Sequence, residues 1–319
     1  VNAKVLPDKK GKFSVVFDKF ILRQSGHDHH FTFIRDGFMT AIGREAGLDT
    51  QLFRPCFLFI NGEFWGIHNL RESFDEGYFE SHHSVEPEEL NIVEGFYRSD
   101  VGDDSSLAKL GRDIDSGLLD KSVLKESIDS VIDVENFLTY KAIETFFYRW
   151  DTGNLKRWKS DHGKWRWLWF DTDVGSGGFA SIPPAWNFPM LEYNLESNGA
   201  WDRYPLNNHN NPTMTRMFRS VIEIPDWKEY FINRYCDLLN SILKEELLLN
   251  KINELQTNIR PYMIHQIRRW NRPSSLSEWN SQLDHLKEFA SKRQAPAFRH
   301  LQAYFNLGDL HSLEIEEPN

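Results

Sequence analysis

Residues 137–178, FLTYKAIETFFYRWDTGNLKRWKSDHGKWRWLWFDTDVGSGG, decide the fold of this protein. Residues 134–148 are mainly apolar and predict a helix, and Asp133 lies directly before them as a good amino-terminal cap. Residues 164–170 alternate in a pattern that is typical of a β-strand. The stretch is therefore predicted to form a helix, a polar turn and a strand, in that order.

Four polar side chains follow these two elements. Asp151 and Asn154 lie in the turn after the helix, and Asp171 and Asp173 come directly after the strand, before a run of glycine and serine. Protein kinases have the same residue types in the same order, with an Asp that orients the substrate hydroxyl and an Asn and a second Asp that bind metal. Mg²⁺ prefers such hard oxygen ligands. A surface turn followed by an acidic strand end would show the same spacing, so spacing alone leaves both interpretations open.

The composition of the 319 residues is typical of a folded globular protein, with 40% hydrophobic and 26% charged residues. The formal net charge of −10 argues against a nucleic-acid partner, because binding that polyanion requires clustered positive charge. No run of 18 apolar residues is present, so no membrane span is predicted. Cys56 and Cys236 lie far apart in apolar segments and are predicted to be free thiols.

The amino-terminal third is predicted to be rich in strands. Residues 12–23 predict one or two strands, and the apolar spacing of residues 33–47 predicts a helix. Residues 51–60 and 64–71 predict two more strands, joined by Asn61-Gly62. That dipeptide strongly indicates a hairpin, because both central residues of a type I′ turn need a positive φ.

The chain as a whole is predicted to have an α+β fold. Residues 98–107 are polar and lack periodicity, which favours a linker, and we expect a β-rich lobe over 1–105, a mainly helical lobe over 106–305 and a tail over 306–319. The predicted carboxyl-terminal helices cover residues 213–223, 226–243, 245–270 and 276–305. Residues 176–212 predict a long irregular segment. We expect the following tryptophans to pack in the core or between lobes: Trp158, Trp165, Trp227, Trp270 and Trp279.

The residues His27-Asp28-His29-His30 present three imidazoles and a carboxylate in four positions. This composition suggests a metal site. Adjacent residues rarely point at one ion, however, so an ordinary polar turn is the favoured interpretation.

Three segments together resemble the CotH (spore coat protein H) kinases, a secreted and atypical branch of the protein-kinase-like fold. The first is LRQSGHDHHFTFIRDGFMTAIGREAGL at 22–48, and the second is RPCFLFINGEFWGIHNLRESFDEGYF at 54–79. The third is the stretch 137–178, which ends in the family's Asp-x-Asp motif. The resemblance implies two lobes, a small β-rich N-lobe with one helix and a mostly helical C-lobe, and it implies ATP with Mg²⁺ or Mn²⁺ as cofactors.

The resemblance also implies roles for particular residues. Asp151 is similar to the catalytic-loop Asp, and Asn154 to the loop Asn on the metal. Asp173 is similar to the metal-binding Asp of the DFG motif, with Asp171 as the other member of the pair.

Two further positions match the family, and one departs from kinases. Arg23 would stand where kinases have their phosphate-binding Lys, and Glu72 matches a family Glu that contacts the nucleotide or forms a buried ion pair; a structural salt bridge explains both residues equally well. Kinases place the loop Asn five residues after the Asp, whereas Asp151 and Asn154 are three apart. Alignment on the Asn would put Arg149 at the catalytic position and make the protein a pseudokinase.

Three hypotheses for function follow. The first is an ATP-dependent protein kinase that acts on Ser or Thr of extracytoplasmic proteins and is itself secreted or held in the cell envelope. The second is a catalytically degenerate binding, coat or adhesion module with an envelope partner. The third is a carbohydrate-active enzyme, since paired carboxylates and tryptophans are common there too, but Asp171 and Asp173 lie too close together to face each other across a cleft.

Overall fold

The computed structural model describes residues 2–7, 13–16, 19–95, 98–117, 119–151, 154–178, 184–196 and 212–309. Its strands are β1 (Asn2–Pro7), β2 (Phe13–Val16), β3 (Phe20–Arg23), β4 (Asp49–Thr50), β5 (Phe53–Ile60), β6 (Glu63–Glu72), β7 (Leu90–Glu94), β8 (Arg98–Val101), β9 (Lys156–Ser160) and β10 (Arg166–Trp169). Its helices are α1 (Arg35–Glu45), α2 (Glu76–His83), α3 (Ser105–Ser116), α4 (Lys121–Val131), α5 (Val134–Phe146), α6 (Met190–Leu195), α7 (Pro212–Ile222), α8 (Pro225–Asn240), α9 (Glu245–Trp270), α10 (Leu276–Lys292) and α11 (Gln294–Phe305). The α+β class, with a small β-rich amino-terminal region and a helical carboxyl-terminal part, is confirmed.

The described strands form three sheets. β1 pairs with β2, and β6 lies between β3 and β5 in an antiparallel sheet of three strands. A five-stranded sheet has the order β4-β10-β9-β7-β8, in which β4 runs parallel to β10 and the other pairs are antiparallel. In the described residues, no helix is both long enough and apolar enough to cross a membrane.

The hairpin between β5 and β6 follows the local sequence. Asn61 has a φ of 52° and Gly62 a φ of 84°, as a type I′ turn requires. The predicted strands and turn are confirmed, with small shifts of the strand ends.

The predicted linker at 98–107 is wrong. Residues 98–101 form β8, which pairs with β7, and α3 begins at Ser105. Polar residues suit this edge strand, because an edge is exposed to water on one side. The five-stranded sheet also takes strands from both sides of residue 105, so the division into lobes at that point stays a prediction.

Helix α5 lies at the centre of the carboxyl-terminal part. The Asp133 side chain accepts a hydrogen bond from the backbone N–H of Asn136 at 3.0 Å, which confirms the predicted cap. The helix packs against α8 and β10, and its residues Leu138, Ile143 and Phe146 are completely buried. Because almost every residue of α5 is buried, the helix shows little amphipathic periodicity.

The helix that was predicted over 276–305 is two helices. α10 ends at Lys292 and α11 begins at Gln294, with Pro296 in the first turn of α11, where its missing N–H costs no intrahelical hydrogen bond. Arg293 at the junction is 1% exposed. Its guanidinium donates to the backbone oxygens of Thr145, Phe146, Trp186 and Phe188 at 2.7–3.1 Å. The break therefore places a cation where four carbonyl groups converge.

The irregular segment at 176–212 is helical in part. Within its described residues, Ala185–Asn187 form a single 3₁₀ turn and Met190–Leu195 form α6. Residues 179–183 and 197–211 lie outside the described residues. Of the tryptophans that were predicted to pack in the core or between lobes, Trp158, Trp165 and Trp279 are buried and Trp227 is partly buried. Trp270 is 42% exposed at the end of α9, outside the core, and its ring contacts that of Trp65 on β6.

Asp49 joins β4 to the helix α2 and to the neighbouring strands. Its carboxylate accepts hydrogen bonds from Trp158 Nε1 and Arg166 Nε, both at 3.0 Å, and contacts His83 Nε2 at 3.3 Å. Burial by itself would raise the pKa of Asp49, but the hydrogen bond from His83 and the charge of Arg166 lower it to about 2.

We therefore expect Asp49→Asn to destabilise the protein by about 2 kcal/mol at pH 7, since each pKa unit corresponds to about 1.4 kcal/mol. A depressed carboxyl pKa stabilises the fold above the unfolded pKa of 3.8, and this stabilisation is lost as the pH falls toward about 2. Urea unfolding of both proteins at pH 7 and pH 3 measures the effect. The difference should shrink by about half at pH 3; a difference that does not change with pH would exclude the charge of Asp49 as its origin.

Candidate functional site

Arg23, at the end of β3, lies among three carboxylates from distant parts of the chain. Its Nε is 3.3 Å from Asp36 Oδ2 on α1, and its terminal nitrogen is 3.3 Å from Asp173 Oδ1 and also contacts Asp171. Burial would lower the pKa of Arg23, but Asp36, Asp171 and Asp173 together raise it. Arg23 therefore stays protonated, and its ion pairs join α1 to the end of β10.

Asp36 is the residue that the sequence did not identify as part of this cluster. It is 2% exposed, and its Oδ2 is 2.6 Å from a terminal nitrogen of Arg71. Its Oδ1 accepts hydrogen bonds from Thr172 N at 2.9 Å and Thr172 Oγ1 at 2.7 Å. Burial would raise the pKa of Asp36, but Arg71, Arg23 and Thr172 lower it. One signal in the sequence could have identified Asp36: it is an acidic residue among the mainly apolar residues of a predicted helix.

Thr172 lies between Asp171 and Asp173, the two predicted metal-binding residues. Because Asp36 accepts two hydrogen bonds from Thr172, it fixes the backbone where β10 ends. Asp171 has a φ of 53°, in the left-handed region that Asp tolerates better than most residues. Such backbone conformations cost energy and often occur at functional sites, where the surrounding contacts hold them. Here the contacts of Thr172 and Arg23 hold the turn.

The loop after α5 lies against this strand end. Asn154 Nδ2 donates to Asp171 Oδ2 at 2.6 Å and to Asp151 Oδ2 at 3.1 Å. Asn154 is exposed, while Asp151 and Asp171 are half-buried. The fold thus brings together Asp151, Asn154 and Asp171 in a position that solvent can reach.

Asp173 lies deeper, at 2% exposure, and accepts a hydrogen bond from the backbone N–H of His27. Burial is the main reason why its pKa is raised to about 7, and the negative charges of Asp36 and Asp171 add to the effect. Gly26 has a φ of 58°, and a Cβ atom there would lie 2.4 Å from Asp173 Oδ2. Glycine is therefore needed for both the turn and the approach of the carboxylate.

Arg149 lies behind the loop instead of in the site. It is completely buried, and its guanidinium donates to Tyr140 Oη at 2.9 Å, Glu144 Oε1 at 3.4 Å and the backbone oxygen of Asn154 at 2.9 Å. A residue in this position holds the loop and is not available to a substrate. Asp151, by contrast, is half-buried on the side of the loop that solvent can reach.

The polar turn at 26–30 is a structural cap of α1. Asp28 is completely buried and accepts hydrogen bonds from Thr32 N, Thr32 Oγ1, Arg35 N and Arg35 Nε at 2.6–3.2 Å. Arg35 also donates to the backbone oxygens of Gly175 and Ser176 at 3.0 and 2.8 Å. The ordinary-turn interpretation explains Asp28 fully, and Arg35 ties α1 to the segment after Asp173.

A protein-family model described as CotH kinase protein matches residues 6–296 of the chain. The chain belongs to this family. No curated protein matches the sequence. The matched region contains all three segments that resemble CotH kinases, together with every residue of the cluster around Arg23.

Glu72 of this CotH family member lies in a different set of contacts. Its carboxylate accepts a hydrogen bond from Leu52 N at 2.8 Å and lies 2.9 Å from His82 Nε2. Glu72 is 6% exposed. These contacts give Glu72 a structural role between β6, Leu52 and α2; a nucleotide contact stays a prediction.

The acidic residues around Arg23 carry hard oxygen atoms, the kind of ligand that Mg²⁺ prefers. Among the described residues, no group of three or more His, Cys, Asp or Glu side chains is arranged to hold a metal ion on its own. Asp171 nevertheless lies next to Asn154, and Arg23 contacts both Asp171 and Asp173, so side-chain oxygens of these residues lie close together. Mg²⁺ is commonly bound through one or two carboxylates plus substrate phosphates and water, which is the donor set available here.

Proposed function

We propose that this CotH family member is an ATP-dependent protein kinase that phosphorylates Ser or Thr residues of extracytoplasmic proteins, and that it is secreted or held in the cell envelope. One observation carries the proposal: the hydrogen bond of 2.6 Å between Asn154 and Asp171. It joins the loop after α5 to the end of β10, which are the two places where kinases hold their catalytic and metal-binding groups.

In this mechanism Asp151 orients the Ser or Thr hydroxyl of the acceptor. The hydroxyl oxygen forms a bond to the γ-phosphorus, the bond between that phosphorus and the β,γ-bridging oxygen breaks, and ADP leaves with the electron pair. The hydroxyl proton passes to the Asp151 carboxylate. Such a transfer depends mainly on positioning and on electrostatic stabilisation.

Mg²⁺ or Mn²⁺ would be held by Asp171, Asn154 and Asp173. When bound, the ion neutralises charge on the transferring phosphoryl group. Arg23 is the protein's own cation at this place, and its planar guanidinium suits bidentate contact with phosphate oxygens. Asp36, through its contacts with Arg23 and Arg71, keeps that guanidinium at the strand end.

The proposal predicts that the protein transfers label from γ-labelled ATP, in the presence of Mg²⁺ or Mn²⁺, to itself or to a casein-like acceptor. Asp173→Ala should nearly abolish transfer, because a carboxylate that holds the ion is lost. Asp284→Ala, an exposed substitution on α10, is the matched control and should leave transfer unchanged. No transfer by the parent protein, with Asp173→Ala indistinguishable from it, would contradict the proposal.

A second function is favoured by the contacts of Arg23 with both Asp171 and Asp173. These ion pairs occupy the carboxylates with a guanidinium, as expected in a catalytically degenerate module that binds an envelope or coat partner. Thermal unfolding separates the two functions, since a ligand that binds only the native state raises the melting temperature. A kinase should show a rise with ATP plus Mg²⁺ or Mn²⁺, and the binding module should show none.

A further inference from the structure

The end of α9 and the first half of β6 enclose a cavity of about 310 Å³ that is separate from the acidic site. The lining residues that matter here are His29, Trp65, His68, Gln266, Trp270 and Arg272. Its volume is at the lower end of the range of about 300–1,000 Å³ that is typical of ligand pockets. The cavity therefore suits a ligand of about one ring in size.

The aromatic walls of this cavity are held in place before any ligand binds. Trp270 Nε1 donates to the backbone oxygen of Trp65 at 2.6 Å, and the two rings lie 5.4 Å apart at an angle of 82°. The Arg269 guanidinium lies 4.3 Å from the centre of the Trp65 ring. Trp270 is 42% exposed, although the hydrogen bond fixes its orientation. A fixed and exposed indole offers a flat apolar surface at a low entropic cost.

Gly66 allows the two walls to approach each other. Its φ is 143°, and a Cβ atom there would lie 2.8 Å from Gln266 Oε1 and 3.3 Å from Trp270 Nε1. A side chain at this position would therefore displace the Gln266 amide and crowd the Trp270 ring, and it would also be strained by the positive φ. Glycine thus preserves the shape of the cavity wall.

Gln266 supplies a hydrogen-bond donor that the protein does not use. The residue is 6% exposed, and its Oε1 accepts a hydrogen bond from Ile67 N at 2.9 Å, which fixes the orientation of the amide. Among the described residues, nothing accepts a hydrogen bond from its Nε2. This nitrogen is not among the fully buried polar atoms, so it can be reached from the cavity. An acceptor atom of a ligand in the cavity would accept a hydrogen bond from it.

The charged side chains around the cavity indicate which kind of hydrogen-bond acceptor a ligand would carry. Arg272 and two imidazoles line it, and no Asp or Glu is found among the described lining residues. His29 Nδ1 donates to the backbone oxygen of Gly26 at 2.6 Å, so the ring is anchored to the turn that also contacts Asp173. Burial is the main reason why the pKa of the neighbouring His30 is lowered; Arg272 adds to this effect, and Glu278 opposes it. Arg272 is the charged group among the described lining residues that would attract an acid.

We propose that this cavity is a binding site for a small carboxylate built on a six-membered ring. The ring packs against the indoles of Trp65 and Trp270, and the carboxylate accepts hydrogen bonds from Gln266 Nε2 and Arg272. An acidic sugar and an aromatic acid share this chemistry. The site goes beyond the proposed phosphoryl transfer and does not depend on it.

Isothermal titration calorimetry of the full chain tests the site with four probes: glucuronate and benzoate, and their neutral counterparts glucose and benzamide. At least one acid should bind, and its neutral counterpart should bind about tenfold more weakly or worse, because a charge-assisted hydrogen bond is lost. Glucuronate binding would identify an acidic sugar as the ligand, and benzoate binding an aromatic acid. Failure of both acids to bind, or equal binding of acid and neutral probe, would overturn the proposal.

Two variants test whether the acid binds in this cavity. Trp270→Ala and Arg272→Ala should each weaken the acid about tenfold or more, through the lost ring contact and the lost charged hydrogen bond respectively. Arg268→Ala is the matched control, since Arg268 is exposed on α9 outside the cavity lining, and this variant should bind like the parent. If Trp270→Ala does not fold, Arg272→Ala decides, because Arg272 is exposed. Acid binding that neither variant weakens would refute the site.

Discussion

Asp151→Asn is expected to reduce phosphoryl transfer by about 100- to 10,000-fold, the range that a positioned general base contributes. Asparagine keeps the shape of the side chain and can still accept a hydrogen bond from Asn154, but it cannot take the proton of the acceptor hydroxyl. The loss should therefore appear in kcat, while the KM for ATP changes little. Steady-state transfer of label from ATP to a casein-like acceptor measures both constants.

The same substitution should leave the fold intact. Asp151 is half-buried, and it is joined to the site through the exposed Asn154 at 3.1 Å, so the melting temperature should stay close to that of the parent. Asp284→Asn on α10 serves as the control for the loss of one surface charge. Full transfer activity in Asp151→Asn would show that another residue, or no residue, acts as the base.

Arg149→Ala is expected to destabilise the protein by about 3–5 kcal/mol, the usual cost of removing one partner from a buried ion pair. Arg149 is completely buried, and so is Glu144, which would keep only Lys141 at 2.5 Å as its cation. Tyr140 Oη and the backbone oxygen of Asn154 would also lose their donor. Urea unfolding with a linear extrapolation measures the change.

Two further variants show whether the effect comes from these contacts. Arg149→Lys keeps the charge but not the planar arrangement of donors, so it should lose less stability than Arg149→Ala. Arg112→Ala, on the exposed face of α3, should change stability by less than about 0.5 kcal/mol. If Arg149→Ala were as stable as the parent, Arg149 would not be holding the loop, and its position in the site would have to be reconsidered.

Features that depend on neighbouring residues could be predicted from the sequence. The Asn61-Gly62 turn, the Asp133 cap and the start of α5 at Val134 are confirmed, because each follows from the conformational preferences or hydrogen bonding of residues a few positions apart. Membership of the CotH family could also be predicted, since it rests on motifs in chain order.

Features that depend on a distant partner could not be predicted in the same way. Residues 98–101 have the composition of a linker, but β7 offers them a strand edge to pair with. The helix break at Arg293 is explained by carbonyl groups that belong to residues more than 100 positions away. Trp270 was expected in the core or between lobes, and only the approach of α9 to β6 shows that it lines a cavity.

The same distinction applies to the candidate site. The sequence by itself determined the family, the α+β class and the order in which Asp151, Asn154, Asp171 and Asp173 occur along the chain. Only the tertiary structure decided that Asp36 holds the strand end and that Arg149 is buried behind the loop. The physical reason is that hydrogen bonds and ion pairs depend on distance in space, and the partners of Arg23 lie up to 150 positions away along the chain.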